Sequence, residues 1–507
     1  MSSPEKPGAS GVKEVNMTNL EDKILTVLEK GPSQKVMTGL LNAGLKTSVT
    51  RRKLLNAIDK ATYKISLRGP ERPVKVKEER YYMGRALLHS IGKALDNGLM
   101  SPGCTRSITD ILLRKVILEG VYARREFNEK HGFRPPTFVT ISPTNVCNLK
   151  CKGCYAGDIY EKSTLKYGVF DRVLTEINKE FGSYFFVISG GEPFAYRESG
   201  KTLFDILEKH SDSYFMAYTN STMINKDAAK KLSELGNFTP AISVEGFEEE
   251  TDERRGKGTY ARIMDAMENL RMAGVPFGVS VTPTRHNADM LLSDRFIDFY
   301  FNRMGATYGW YFQYMPIGRN PSVELMVTPE QRLRMLKKIW EIVINQKIFI
   351  ADFWNSGTAS DGCMAAARGG GYFYIMWDGT ITPCVFIPFK DRDCNNLYSL
   401  YENGQTITDA VKSRFFGKIR EWQDNYWIKQ PRHKCGNLLV PCAIRDNAKD
   451  FYALVKETGA LPCDKGAKEY LSFIENGSMP AYNMKYREYT DPLWQGKYLE
   501  NEQIQVN

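Results

Sequence analysis

From Thr137 onward, short β-branched runs alternate with amphipathic segments about every thirty residues, a rhythm that few folds accommodate. The runs Thr137 to Ser142, Tyr184 to Ser189, Tyr214 to Thr219, Pro240 to Val244, Pro276 to Thr282 and Gly309 to Met315 read as strands. Between them, Asp171 to Phe181, Thr202 to His210, Asp227 to Leu235, Tyr260 to Ala273 and Thr328 to Asn345 read as helices. Strands separated by helices pair in parallel through right-handed crossovers, so the pattern predicts an α/β sheet that either stays open or curls into a barrel. In either form, chemistry belongs at the carboxyl ends of the strands.

The flanks differ from this core. Residues 1–18 are polar and aperiodic and are expected to be disordered. Residues 19–135 read as a basic helical region of four or five helices. In Tyr81 to Met100 the residues Met83, Leu87, Leu88, Ile91, Ala94 and Leu95 form the apolar stripe, and Ser107-Ile108-Thr109-Asp110 resembles a capping box for the helix that Gly132 ends. The net charge of +10 is concentrated here: residues 1–135 hold 25 Lys and Arg against 14 Asp and Glu, a surplus of 11, which leaves the remainder near neutral. After about residue 349 the pattern turns to short strands, glycines and spaced cysteines, which reads as a further unit, 349–507.

No signal peptide and no apolar run long enough to span a membrane is found, so a cytoplasmic protein is expected. Ten cysteines in such a chain suit metal ligation or thiol chemistry better than disulfides.

Just after the first strand stands Cys147-Asn148-Leu149-Lys150-Cys151-Lys152-Gly153-Cys154-Tyr155, a C-x3-C-x2-C loop. Three thiolates on one loop can ligate three irons of a [4Fe-4S] cluster and leave the fourth open to a ligand; alone, the spacing also suits a zinc knuckle or an electron-transfer cluster. After the second strand comes Ser189-Gly190-Gly191-Glu192-Pro193, where the glycines permit close backbone approach and Glu192 can accept hydrogen bonds from an ammonium.

These residues resemble the radical S-adenosylmethionine (SAM) superfamily, over Pro136 to about Glu341. The resemblance implies a partial (β/α)6 TIM-like barrel for residues 136–348. It makes Cys147, Cys151 and Cys154 the catalytic cluster ligands, with Gly190, Gly191 and Glu192 holding the methionine end of SAM and Tyr155 against the adenine. Thr219, Asn220, Ser243 and Glu245 are similar to ribose or methionine contacts, and Arg255, beside Arg254, to a carboxylate-binding arginine. The implied activity is reductive cleavage of SAM to a 5′-deoxyadenosyl radical that abstracts hydrogen from an unactivated carbon. A non-catalytic iron–sulfur or zinc protein for electron transfer or assembly is the alternative.

Cys363, then Gly379-Thr380-Ile381-Thr382-Pro383-Cys384, resembles the opening of the SPASM or twitch extension, which binds auxiliary clusters. Downstream the chain departs from that pattern, with only Cys435, Cys442 and Cys463, and Cys394 nearby. One auxiliary [4Fe-4S] cluster is therefore expected, on Cys363, Cys384 and Cys442 with Cys435 as fourth ligand, while Cys104 reads as core.

Implied partners are a ferredoxin- or flavodoxin-type electron donor and a peptide or a lipid or isoprenoid substrate. The basic helices, including Arg51-Arg52-Lys53 and Arg114-Lys115, would suit either peripheral contact with an anionic membrane or packing as a cap across the barrel. No nucleic-acid motif accompanies the charge.

Overall fold

The computed structural model describes residues 24, 47–68, 72–156 and 161–500; the segment 1–18, expected to be disordered, lies outside them. The chain divides into two compact units, Met1–Ile65 and Ser66–Asn507. In the first, the helix Ser48–Ser66 buries Leu54 and Ala61, about two turns apart on one face, and these pack with Ile24.

The second unit is built on a nine-stranded sheet. Its strands are β1 (Phe138–Ile141), β2 (Phe185–Ile188), β3 (Tyr214–Thr219), β4 (Phe238–Ser243), β5 (Gly278–Val281), β6 (Gly309–Tyr311), β7 (Ile350–Asp352), β8 (Tyr374–Ile375) and β9 (Ile381–Thr382). β1 to β7 lie side by side in chain order, all parallel, with Thr140 opposite Val187 and Val187 opposite Met216. The expected α/β architecture is present, and each expected core strand is found within a few residues of its place. Helices including Tyr167–Phe181 and Thr259–Ala273 fill the crossovers, and their apolar residues join one core cluster with those of the strands. Burial on both faces is what a parallel sheet with crossover helices requires.

The sheet runs past residue 348, where the sequence placed the end of the core. β7 extends one edge, and β8 returns to the opposite edge, parallel to β1, with β9 antiparallel beyond it. Strands of two or three residues carry too little periodicity to be read in advance. A second correction concerns Ser107, which lies inside a continuous helical stretch. The start is at Pro102, capped by Ser101, whose hydroxyl accepts the Cys104 amide at 3.2 Å. Proline at the first helical position after a capping serine is the stronger start signal. The predicted end holds, since Gly132 is left-handed at φ 77°.

The helix Val74–Asp96 buries Val76, Met83, Ala86, Ser90 and Ala94, while Leu87, expected on the apolar stripe, is exposed. Small residues win because the helix packs closely on Gly357–Ser360 and on the approach to β7: the Phe349 amide donates to Ser90 Oγ, and Arg85 donates to the Ile344 carbonyl at 2.6 Å. Lys115 likewise pairs with Asp212 at 2.7 Å and Arg114 with Glu119 at 2.8 Å. No helix among the described residues is long and apolar enough to cross a membrane.

Glu79 on this helix is 2% exposed and accepts the Tyr498 hydroxyl at 2.8 Å. Burial raises its pKa, against the hydrogen bonds from Thr358 and Tyr498. A raised carboxyl favours folding below its unfolded pKa, and that contribution is lost as pH rises through the folded value. Glu79→Gln keeps the acceptor and cannot ionise. Its melting temperature relative to wild type is therefore expected to be higher at pH 8 than at pH 4, a difference that scanning fluorimetry at the two pH values would read.

Candidate active site

The loops leaving the carboxyl ends of β1, β2, β3, β4 and β6 surround a cavity of about 290 Å³. Cys147, Cys151, Cys154 and Tyr155 line it from the first loop, Gly190 and Gly191 from the second, and Thr219, Asn220, Ser243 and Arg255 from the next two. Two of the expected contacts, Glu192 and Glu245, do not line it; both are buried behind it.

The two motifs brace each other. Gly191 N donates to Thr144 O and Glu192 N to Val146 O, both at 2.8 Å, so the turn after β2 is laid directly on the approach to Cys147. A Cβ on Gly191 would stand 2.3 Å from Val146 O, and one on Gly190, whose φ is 115°, 2.5 Å from Thr144 O. The glycines are required by the cysteine loop itself. Gly191→Ala is expected to displace that loop, costing about 1–3 kcal/mol by overpacking and lowering iron uptake, which a melt and an iron assay after reconstitution would show.

Glu192 Oε1 accepts Thr219 Oγ1 at 2.7 Å and Phe194 N at 3.1 Å, and Oε2 accepts Asn220 N at 2.9 Å. It ties the end of β2 to that of β3, and since a carboxylate offers about four acceptor sites, one remains. Asn220 continues the tie, donating to Asn148 Oδ1 at 2.9 Å with Cys147 Sγ at 3.8 Å. Tyr155 shares a 2.5 Å hydrogen bond with Ser189 and accepts Gly190 N at 3.2 Å.

Glu245 holds two arginines on one oxygen: Arg254 Nη1 at 2.6 Å and Arg255 Nη2 at 2.5 Å. Its other oxygen is buried without a partner. Arg255 Nη1 then stands 4.0 Å from Cys151 Sγ, and Arg254 Nε donates to Lys152 O at 3.2 Å. From the loop after β6, Arg319 donates to Cys151 O at 3.0 Å. Glu245 thus positions cations at the thiols, and Arg254 and Arg319 hold the loop.

Burial pushes the Cys147 thiol up to about 11, with Glu192 and the neighbouring thiols adding to the rise, and burial also raises Cys154. Bare thiolates are disfavoured here, so ionisation awaits a bound cation. Among the described residues no three His, Cys, Asp or Glu side chains are close enough to hold a single metal ion. Three thiols on one cavity suit a polynuclear cluster, in which each thiolate meets a different iron.

Near the C-terminus, Cys363 lies close enough to Cys384 and Cys442 to raise the pKa of each, and Cys384 adds to the rise at Cys442, burial being the larger cause for both. Tyr372, which lines the cavity, shares a 2.8 Å hydrogen bond with Cys384. Cys435, the expected fourth ligand, is not brought to them: its thiol donates to Arg432 O at 2.9 Å, and its charged neighbours are Arg72 and Arg432. Cys463 packs against the cluster of Ala156, Tyr374, Met376 and Trp377, Cys394 sits beside Asp391, and Cys104 is core.

The profile of the radical SAM superfamily matches residues 141–292, from β1 past β5, which is the segment that carries the thiol loop, the Gly190-Gly191 turn and Arg255. An uncharacterized protein of Archaeoglobus fulgidus is 30% identical over 322 residues, covering 60% of this chain and 73% of its own. The chain belongs to the radical SAM superfamily. The mycofactocin maturase MftC of Mycobacterium ulcerans is 28% identical over 359 residues, 66% of this chain and 88% of that protein. The Fe-coproporphyrin III synthase of Methanosarcina barkeri is 31% identical over 152 residues, 29% of this chain and 37% of the synthase. Similarity to the maturase therefore reaches well beyond the core, whereas similarity to the synthase spans about a third of that protein.

The sequence did not indicate the rest of the cavity wall. Tyr218, Trp310, Phe312, Phe353 and Phe386 line it, from strands and from the C-terminal region alike. Alternation along β3, where Met216 and Tyr218 both face inward, was the available signal.

Proposed function

We propose that this chain is an enzyme that cleaves SAM reductively at a [4Fe-4S] cluster held by Cys147, Cys151 and Cys154 and modifies a peptide. The observation that carries the reading is the convergence of three thiols, the Gly190-Gly191 turn and the Glu245-held arginines on one cavity at the strand ends. When bound, cluster and SAM supply a 5′-deoxyadenosyl radical able to abstract hydrogen from an unactivated carbon.

The protein's part is placement. Arg255, oriented by Glu245, meets the carboxylate of SAM, the free acceptor of Glu192 meets its ammonium, and Tyr155 lies along the adenine. Thr219, Asn220 and Ser243 offer neutral polar groups to the remainder. The aromatic wall keeps water and competing hydrogen donors from the reacting carbon. Cys363, Cys384 and Cys442 hold an auxiliary [4Fe-4S] cluster, and a ferredoxin- or flavodoxin-type protein delivers the electron.

A peptide is favoured over a lipid because a maturase is matched over most of its length, while Arg114 and Lys115, offered as a membrane face, are engaged in ion pairs. The test is anaerobic reconstitution of the full chain with iron and sulfide, then dithionite and SAM, with and without short peptides, following 5′-deoxyadenosine by chromatography. Product above the level of the protein-free control supports the reading. A cluster that forms while SAM stays whole under every condition overturns it.

A further inference from the structure

Within the cavity, charge is confined to the thiol side. Among the described residues lining it, only Arg254 and Arg255 carry a formal charge, and both are held by Glu245 beside the cysteine loop. Away from them the wall is a continuous run of rings. Tyr218 meets Phe312 edge-on with centroids 5.2 Å apart, Phe312 lies 5.4 Å from Phe353 and 5.8 Å from Phe386, and Trp310 stacks on Phe312 at 6.2 Å. Amid the rings, Tyr218 carries a hydroxyl with no hydrogen-bond partner among the described residues; Thr140, Ser280 and Thr282 add smaller hydroxyls to the lining, and the Tyr372 hydroxyl is shared with Cys384. The Tyr218 hydroxyl lies in the lining, and burial raises its pKa well above the ordinary value, so it stays a neutral donor and acceptor.

A carboxylate or ammonium entering this space would be desolvated with no opposite charge to meet, whereas an apolar group would lose nothing and gain contact with the rings. Gln313, also in the lining, is already committed, donating to Asp352 at 2.7 Å and accepting from Arg445 at 2.8 Å.

We infer that the aromatic side of the cavity selects an uncharged, apolar substrate side chain carrying one hydrogen-bonding atom, and that Tyr218 is the residue that reads that atom. The inference rests on the proposed function for the identity of the cavity as the substrate site, and it extends that reading to the chemistry of the group presented there. Peptides whose modified residue is acidic or basic are excluded by it; those presenting a neutral aromatic or branched residue with a hydroxyl or carbonyl are selected.

The test uses three small probes of similar shape on the reconstituted full chain, by isothermal titration calorimetry: p-cresol, toluene and p-toluate. p-Cresol is expected to bind saturably, toluene more weakly, and p-toluate at least roughly tenfold more weakly than p-cresol. In Tyr218→Phe, p-cresol is expected to lose its advantage over toluene while toluene binding is unchanged. Toluene also reports on variant integrity, because it needs the rings but not the hydroxyl. Binding of p-toluate as tight as that of p-cresol, no saturable binding of either neutral probe, or a p-cresol preference that survives in Tyr218→Phe would each overturn the inference. These readouts do not depend on SAM cleavage. A chain that binds the probes as expected yet leaves SAM intact would fail the proposed function alone, and one that cleaves SAM but prefers p-toluate would fail the inference alone.

Discussion

Replacing Cys147, Cys151 and Cys154 together by alanine is expected to abolish 5′-deoxyadenosine formation while leaving the melting temperature of the unreconstituted protein within about 1 °C of wild type. Loss of activity follows from the donor set, since Cys147, Cys151 and Cys154 are the only thiols among the described residues lining the cavity. Retention of the fold follows from how little the thiols do structurally. Cys147 accepts one backbone hydrogen bond, from Leu149 at 3.4 Å, and the loop is held instead by Arg254, Arg319, Asn220 and the Gly190-Gly191 turn. Cys147 and Cys154, raised by burial, are neutral in the metal-free protein, so removing these two deletes no ion pair. Iron analysis adds the discriminating number. If Cys363, Cys384 and Cys442 hold their own cluster, the triple variant keeps part of its iron; loss of all iron would mean that the C-terminal thiols hold none independently.

Much of this site could be read from the chain because its pieces are local. The cysteine loop and the Gly190-Gly191 turn each lie within nine residues and directly follow strands whose β-branched runs are distinct, so sequence adjacency translates into spatial position. What the sequence could not show was which partners the buried carboxylates hold. Glu192 and Glu245 were expected as ligand contacts; the structure adds that Glu192 joins β2 to β3 with one acceptor left over and that Glu245 gathers Arg254 and Arg255. A charge pattern along the chain cannot show this, because the partners of Glu245 lie on the following helix and their geometry depends on how that helix leaves β4. The failure of Cys435 to join the other thiols has the same origin. Its place is set by packing around Tyr426, against whose ring a Cβ on Gly436 would stand 2.6 Å away.

The aromatic wall and the late strands were missed for a different reason. β8 finds its place beside β1 across more than two hundred residues, with two residues of ladder to mark it. Its contribution is legible only once the crossovers have closed the earlier strands into a sheet. Phe353 and Phe386 reach the cavity from loops beyond β7 and β9, so part of its aromatic wall comes from the region the sequence assigned to a separate extension.

That joint is held by a buried polar network, and Asp446→Ala is expected to break it at a cost of about 3–5 kcal/mol, the usual penalty for leaving a buried charge without its partner. Arg332 is fully buried and forks onto Asp446 at 2.5 and 3.2 Å, while its Nε reaches Asn355 at 3.1 Å. Burial works against its charge, and the Asp446 carboxylate more than offsets it, holding the guanidinium pKa above its ordinary value. Asn355 donates to Asp352 at the end of β7, Asp352 accepts Gln313, and Gln313 accepts Arg445, which neighbours Asp446 in the chain. For a unit of this length roughly 1 °C is lost per kcal/mol, so the melting temperature should fall by about 3–5 °C. Asp446→Asn, which keeps the acceptor oxygen, should fall less, and pairing Asp446→Leu with Arg332→Met should recover much of the loss, because then no charge is stranded. Asp446 also accepts the Cys442 amide at 3.2 Å, so the alanine variant should lose iron from the C-terminal thiols before it loses the fold. An alanine variant with unchanged melting temperature would mean that water reaches Arg332 and that the network contributes little. Recovery of melting temperature without recovery of iron in the double variant would instead separate the two roles of Asp446, one in holding β7 to the C-terminal helices and the other in placing Cys442.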